Sequence, residues 1–520
     1  MEAAFARQKN LIVALQHTLE APVEIIETHI SWVLLTDGFA YKIKKAVNLG
    51  FLDFSTLEKR RHCCEEELRL NRRLVSDLYL AVTAIAGSAE QPVLDGSGPA
   101  IEYAVKMRRF PQSCLLDQIL LHDKLTPEIV DTIACKIAGF HLHTAVADGA
   151  SLSGAAEQIH QPTAQNFAQI RPRLQEQSDR SRLDGLERWC EKEYQAHRHS
   201  FAIRKAQGFI RECHGDLHLG NMVLLDGEVV PFDCIEFNAD LRWIDVISEA
   251  AFLSMDMQDR MRPDLARRFI NTYLEQNGDY AGLEMWRYYQ VYRAMVRAKV
   301  ACIRAEQVGE TGAEHWLQYR RHIELAESFS RRSPPFIAIT HGLSGSGKTT
   351  LSQALLEAMN LFRIRSDVER KRLYGLKPEA RSGTEIADGI YSPAANEHTY
   401  RHLAELARSI VLSGYPVVVD AAFLRRRERA SFRELAQELG VPFAILDCMA
   451  PEHLLRARIE RRQRRGRDAS EADISVLESQ LRNHEPLDSN ETAAAISVNT
   501  GQNANIQALV QRLKEATSGL

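Results

Sequence analysis

The sequence predicts a multidomain chain in which an α+β half precedes an α/β half built on a parallel sheet. Its 520 residues exceed what a single hydrophobic core organises, so two or three domains are expected. The run SRRSPP at Ser330–Pro335 closes a charged helical stretch, and its prolines deny both helix continuation and a backbone donor. After it, short apolar β-type runs alternate with helical stretches, the order that winds a parallel sheet. The expected division is 1–330 and 336–520.

Taken in order, the first half opens with strand-like segments at Ser31–Leu35, Ala40–Lys44 and Ala100–Met107. From about residue 125 to 200, apolar residues recur at spacings of three and four, the mark of helices. A short hairpin near 222–232 follows, then helices to about residue 329. In the second half the expected strands are Phe336–Thr340, Phe362–Ile364, Val417–Val419, Phe443–Leu446 and Ala495–Val498.

The composition, 45% hydrophobic and 26% charged, is that of an ordinary globular protein. A formal net charge of -4 argues neither for nor against nucleic acid, because a basic face can hide inside a balanced total. The nine cysteines are scattered, none in a C-x-x-C pair, which fits a reducing compartment without a zinc module. The N-terminus lacks a signal-peptide pattern, and no apolar run approaches the ~20 residues of a membrane span. A cytoplasmic protein without a membrane partner is the expectation.

The second half carries GLSGSGKT, Gly342 to Thr349, a full match to the P-loop pattern G-x-x-x-x-G-K-S/T, preceded by a strand and followed by a helix over Thr350–Met359. Glycines let consecutive N–H groups face phosphate oxygens with no Cβ in the way, and the helix N-terminus adds a positive dipole end. Gly342, Ser344, Gly345, Ser346, Gly347, Lys348, Thr349 and Thr350 form the expected nucleotide cradle. Lys348 would reach the terminal phosphates, and Thr349 would hold Mg2+.

Further on, RSDVER sets Asp367 where the sheet's carboxyl edge opens, a usual ligand position in such folds. Asp367 is placed to take a proton from a hydroxyl, and Arg370 to hold an anionic substrate group. A helix N-cap is the competing role for Asp367. Asp420 ends the strand VVVD, where an acid binds Mg2+ through water or merely starts a turn. In RARIERRQRRGR, Arg456–Arg467, Arg458 and Arg462 stand one helical turn apart, as a lid closing on phosphates needs. A solvated basic helix or a nucleic-acid face also fits that run.

Together these residues resemble the P-loop kinases related to polynucleotide kinases and zeta toxins, over about 336–515. The resemblance implies Asp367 as general base, with Arg458 and Arg462 beside Lys348 stabilising the transferring phosphoryl group. It leaves the acceptor open among nucleic-acid ends, sugars and other small alcohols.

The first half carries its own constellation, His214-Gly-Asp216-Leu-His-Leu-Gly-Asn221, followed by Asp233. Asp226-Gly227 between them is a two-residue hairpin signal. Counting outward pairs Leu225 with Glu228 and sets Asn221 opposite Phe232, so Asn221 and Asp233 meet at the hairpin's open end. An amide oxygen beside a carboxylate suits Mg2+. Asp216, on the loop entering the hairpin, is placed to accept a proton from an acceptor hydroxyl. This is the logic of a protein-kinase catalytic loop, with glycine in place of its arginine.

The H-G-D-x-x-x-x-N form resembles the aminoglycoside phosphotransferase family and its protein-kinase-like relatives, over about 30–300. The resemblance implies a phosphate-holding lysine with a glutamate partner. Lys42 of FAYK fills the first place, with Lys44 on the same strand face as the alternative, and Glu67 fills the second. Asp245 would brace the catalytic loop or cap a helix. Two features depart from that family. The first strands are joined by Thr36-Asp37-Gly38, a tight turn without a glycine-rich phosphate loop. The helix around Tyr289–Arg304 is basic where a polycationic acceptor would favour acids, so a neutral or anionic acceptor is expected.

The fold class expected is thus a protein-kinase-like α+β domain followed by an α/β P-loop NTPase domain. The function expected is a two-site phosphotransferase using ATP, with GTP the alternative, and Mg2+. The competing expectation is a nucleotide-gated regulatory or toxin-like protein in which only the P-loop half is catalytic. Nucleic acid is retained as an alternative partner.

Overall fold

The structure is a computed structural model that describes residues 2–19, 23–50, 52–308, 312–378, 380, 389–465, 469–502 and 504–517. The chain forms two compact units. One comprises Met1–Ile129, Phe140–Gln169 and Lys192–Asp256, the other Val130–Gly139, Ile170–Glu191 and Met257–Leu520.

The first unit opens with helix α1 (Glu2–Thr18) and strands β1 (Glu24–Glu27), β2 (Ser31–Leu35) and β3 (Phe39–Lys44). Helix α2 (Leu57–Arg72) and strands β4 (Tyr79–Gly87), β5 (Pro92–Leu94) and β6 (Glu102–Arg108) follow. The six strands make one antiparallel sheet in the order β1-β2-β3-β6-β4-β5. Period-two alternation divides its two faces. Trp32, Leu34 and Ile43 pack with Leu11, Ile12 and Leu15 of α1, while Ala40, Tyr79 and Met107 pack with Cys64 of α2. Lys42 and Lys44 share the face of Ala40, and so turn toward α2.

Helices α3 (Leu116–Leu121), α4 (Pro127–His143), α5 (Ala156–Ile170) and α6 (Gln177–Ala206) follow the sheet, α4 and α6 running in both units. Strand β7 (Ile210–Glu212) comes next, then the hairpin β8 (Met222–Leu225) and β9 (Glu228–Pro231). Strand β10 (Trp243–Asp245) pairs antiparallel with β7 and leads into α7 (Val246–Asp259).

The second unit is wider than the segment after Pro335, because it takes in helices α8 (Pro263–Asn277), α9 (Leu283–Val308) and α10 (Ala313–Ser330). Strand β11 (Ile337–His341) and helix α11 (Lys348–Ala358) come next, then β12 (Phe362–Arg365), α12 (Ser366–Leu373), α13 (Pro393–Leu412) and β13 (Val417–Asp420). The chain ends with α14 (Arg426–Leu439), β14 (Phe443–Met449), α15 (Glu452–Arg465), α16 (Ile474–Asn483), α17 (Ser489–Ala493), β15 (Ala495–Asn499) and α18 (Ile506–Thr517).

All five strands of this unit are parallel, in the order β12-β13-β11-β14-β15. The apolar runs read from the sequence supply them, and Leu351 and Leu355 of α11 with Leu509 and Leu513 of α18 bury one side. Strand β11 is buried at all of its residues, as a strand covered on both faces must be. The α+β and α/β fold classes read from the sequence are those observed.

Candidate functional site

In the second unit the chain leaves β11 through Gly342–Gly347 and enters α11 at Lys348. Gly345 has φ +82°, and a Cβ there would lie 2.7 Å from the Leu455 carbonyl oxygen. At Gly342, with φ +138°, the same atom would meet the Cys448 carbonyl oxygen at 2.5 Å. Glycine is therefore demanded by both backbone conformation and space. Lys348 Nζ donates to the carbonyl oxygens of Gly342 and Leu343, each at 2.9 Å. Burial lowers its pKa below the ordinary lysine value, against the pull of Asp420. The Ser346 hydroxyl is buried without a partner.

Asp420 ends β13, the strand beside β11, and pairs in register with Arg365 of the edge strand β12. Its Oδ2 accepts from Ser352 Oγ of α11 at 3.2 Å. Asp367 lies in the first turn of α12, whose N-cap position belongs to Arg365, so the capping role for Asp367 is not what the structure gives. Lys348, Thr349, Asp367, Asp420, Arg458 and Arg462 all line one cavity of about 2030 Å3.

Arg370, 5% exposed, also lines that cavity. One terminal nitrogen donates to Ile390 O at 2.8 Å and the other to Asn396, while Nε is buried without a partner. Two of the guanidinium's five N–H donors are thus spent inside the protein. Arg458 is similarly anchored, donating to Gly345 O at 3.1 Å and to Thr500 O at 2.6 Å. Arg462 donates to Ala472 O at 2.5 Å. The end of the basic run, residues 466 and 467, lies outside the described residues. Arg456 pairs with Glu452 and Glu478 on the solvent side of α15.

In the first unit the hairpin forms in the register counted from its turn. Leu225 pairs with Glu228, and Phe232 N donates to Asn221 O at 3.0 Å. Asp233 follows directly, with φ +67°, and its N–H donates to Tyr79 Oη at 3.0 Å. Lys42 Nζ reaches Glu67 Oε1 at 2.9 Å and also Asp233. Lys44 Nζ reaches the other oxygen, Glu67 Oε2, at 2.6 Å, and also Glu236. The lysine alternatives are therefore both built in, with Glu67 shared between them. Burial opposes its ionisation, but Lys42 and Lys44 hold the Glu67 carboxyl below its ordinary pKa.

The Asp216 side chain is 41% exposed. Asn221 Nδ2 donates to Asp216 O at 3.0 Å and Oδ2 at 3.1 Å, which leaves the Asn221 oxygen as its remaining acceptor. His214 is buried, and burial lowers its pKa toward the neutral imidazole. Nε2–H then donates to Phe232 O at 2.8 Å, while Nδ1 accepts from Asp216 N at 3.3 Å.

The brace of this loop is not Asp245. That side chain accepts from Arg204 at 2.7 and 2.8 Å and from Ile247 N at 3.0 Å, the helix-capping alternative. Glu249 of α7 holds the loop instead, accepting from His214 N at 3.0 Å, Gly215 N at 2.6 Å and His141 Nε2 at 2.9 Å. Asp256, two turns further along α7, accepts from Leu219 N at 3.0 Å. Sequence reasoning missed Glu249, Asp256 and Glu236. Two acids isolated in the apolar helical run ISEAAFLSMDM were the available signal for the first pair.

The second unit thus carries a P-loop between a strand and a helix of a parallel sheet, and the first a buried cluster of Lys42, Lys44 and Glu67 that reaches Asp233. Residues 337–487 match the family model described as an AAA domain. Over 459 residues the chain is 29% identical to an uncharacterized protein of Mycobacterium tuberculosis, covering 88% of this chain and 90% of that one. Over 133 residues it is 32% identical to the adenylyl-sulfate kinase of Myxococcus xanthus, covering 24% of this chain and 64% of that protein. A choline kinase structure from Cryptosporidium parvum aligns at TM-score 0.38 with 11% identity, over 62% of this chain and 96% of that one. No helix among the described residues is long and apolar enough to cross a membrane.

Proposed function

We propose that this chain is an ATP-dependent phosphotransferase with two sites, in modules 1–330 and 336–520, each moving a γ-phosphate to a hydroxyl acceptor. The observation that carries the reading is the convergence of Lys348, Thr349, Asp367 and Asp420 on one cavity. In it, the P-loop N–H groups and Lys348 hold the phosphates, and Asp367 takes the acceptor proton. Arg458 and Arg462 offset charge on the transferring group. Arg370, with Arg425 and Arg427 lining the same cavity, favours an anionic acceptor.

The donor sets suit Mg2+, since Thr349 and Asp420 offer hard oxygens in the cavity, as Asn221 and Asp233 do in the first unit. Bound there, the ion would offset charge on the β- and γ-phosphates. In the first unit Asp216 is the proposed base, and Lys42, oriented by Glu67, the phosphate-holding cation. GTP is the alternative donor, and a nucleic-acid end the alternative acceptor.

One observation favours a second reading, in which only the P-loop half is catalytic and the first unit regulates. Strands β2 and β3 are joined by a closed turn, Thr36 N donating to Phe39 O at 2.8 Å, where a phosphate-covering loop would need length.

The deciding experiment is transfer of labelled γ-phosphate from ATP to fractionated cell extract by wild type, Asp216→Asn and Lys348→Ala. Two products, each lost with one substitution, are expected. A single product lost only with Lys348→Ala supports the regulatory reading, and no product with ATP binding intact sinks both.

A further inference from the structure

The segment 337–487 that matches the AAA domain does not contain everything that shapes its cavity. Glu275 and Gln276, at the end of α8, line that cavity with Lys348 and Asp420. Helix α8 lies along the edge strand β12, whose outward backbone would otherwise be unpaired. Asn271 Oδ1 accepts from Arg363 N at 2.9 Å and closes that edge.

Glu275 then meets two cations of the same strand. Its Oε1 accepts from Arg363 Nε at 3.0 Å and from an Arg363 terminal nitrogen at 2.7 Å. Its Oε2 lies 3.8 Å from Arg365, and Arg365 Nε lies 4.0 Å from Asp420 Oδ2. Arg363 and Arg365 are two apart on a strand and so share a face, the face of Asp420. All four side chains are largely buried, Asp420 at 4% exposure and Glu275 at 9%, so these charges are weakly screened. One carboxylate outside the AAA segment therefore balances two arginines beside the acid that the P-loop site needs.

We propose that Glu275 is a positioning residue of the C-terminal site, which engages Arg363 and shares Arg365 with Asp420, and so keeps the Arg365–Asp420 contact long and that carboxylate available to a divalent cation. The inference rests on the reading of Asp420 as a cation-side acid. Without the Glu275 charge, Arg365 closes on Asp420 from its present 4.0 Å and competes with the metal for it. The P-loop site would then depend on α8, a helix that precedes the P-loop in the chain.

The test uses the full-length chain with ADP and Mn2+ as the probe, following Mn2+ binding by electron paramagnetic resonance. The part of the binding abolished by Lys348→Ala reports the C-terminal site. Glu275→Gln keeps the shape and most hydrogen bonding but removes the charge, and should raise the apparent Mn2+ Kd roughly tenfold, as loss of an outer-shell partner does. Adding Arg365→Gln to that variant should return the Kd to near its wild-type value, which a merely structural role for Glu275 would not give. Wild-type Mn2+ affinity in folded Glu275→Gln overturns the proposal. If Glu275→Gln fails to fold, Arg365→Gln alone decides, since unchanged or tighter Mn2+ binding supports the proposal and weaker binding overturns it. Asp420→Asn separates the underlying reading. Unchanged Mn2+ binding there refutes Asp420 as a cation-side acid, whereas weakened binding there with normal Glu275→Gln refutes this inference alone.

Discussion

Replacing Glu249 by alanine is expected to unlock the His214–Asn221 loop of the first unit. The buried carboxylate accepts three hydrogen bonds, from His214 N, Gly215 N and His141 Nε2. Alanine leaves all three donors without it, at about 1–3 kcal/mol for each buried group left unsatisfied. Water entering the vacated space satisfies some of them, which places the loss at about 4 kcal/mol, toward the low end of that sum. The assay is amide hydrogen exchange of residues 210–222 in the full-length chain, together with urea unfolding. Protection at Gly215 should fall by at least a hundredfold (about 2.7 kcal/mol) before any global unfolding. Asp216-dependent phosphate transfer should fall with it, because the Asp216 backbone is carried by the same turn. Native exchange at Gly215 with transfer unchanged would refute the idea that α7 sets the geometry of this loop.

Two further outcomes follow from the same structure. Gly345→Ala should abolish nucleotide binding in the second unit, because its Cβ would lie 2.7 Å from the Leu455 carbonyl at φ +82°; calorimetric titration with ATP checks this. The acid response of Glu249 has a definite sign. Burial opposes its ionisation, yet His141 and the Gly215 N–H hold its pKa down to about 2. Its contribution is therefore full above the ordinary carboxylate value of about 4.3 and is lost as pH falls toward 2. The stability gap between wild type and Glu249→Gln should close over that window in urea melts, and a gap constant from pH 6 to pH 2.5 would contradict an ionised Glu249 carboxylate.

Much of both sites was legible because their signals are local. The P-loop is a contiguous run whose glycines answer to backbone geometry. The hairpin register follows from Asp226-Gly227 alone, because a two-residue turn fixes every pair above it. The strand alternation that puts Lys42 and Lys44 on one face is equally local. The brace was not legible, because Asp245 and Glu249 are both acids near one helix start. Only the chain path through Arg204 and His141 decides which of them reaches the loop.

The sequence by itself determined the two fold classes, the five strands of the parallel sheet, three of the six strands of the antiparallel one and the P-loop run, and it offered Lys42 or Lys44 beside Glu67. Each of these depends on periodicity or on residues close in sequence, where side-chain pattern dictates backbone conformation. Only the tertiary structure decided that Glu67 is shared between Lys42 and Lys44 and that Arg458 is tied to Gly345 and Thr500. It alone set Glu275 against the arginines of β12. Those pairings join charges far apart in the chain. Burial makes an unpaired charge costly, so each partner is chosen by which groups the fold brings within reach rather than by any pattern along the sequence.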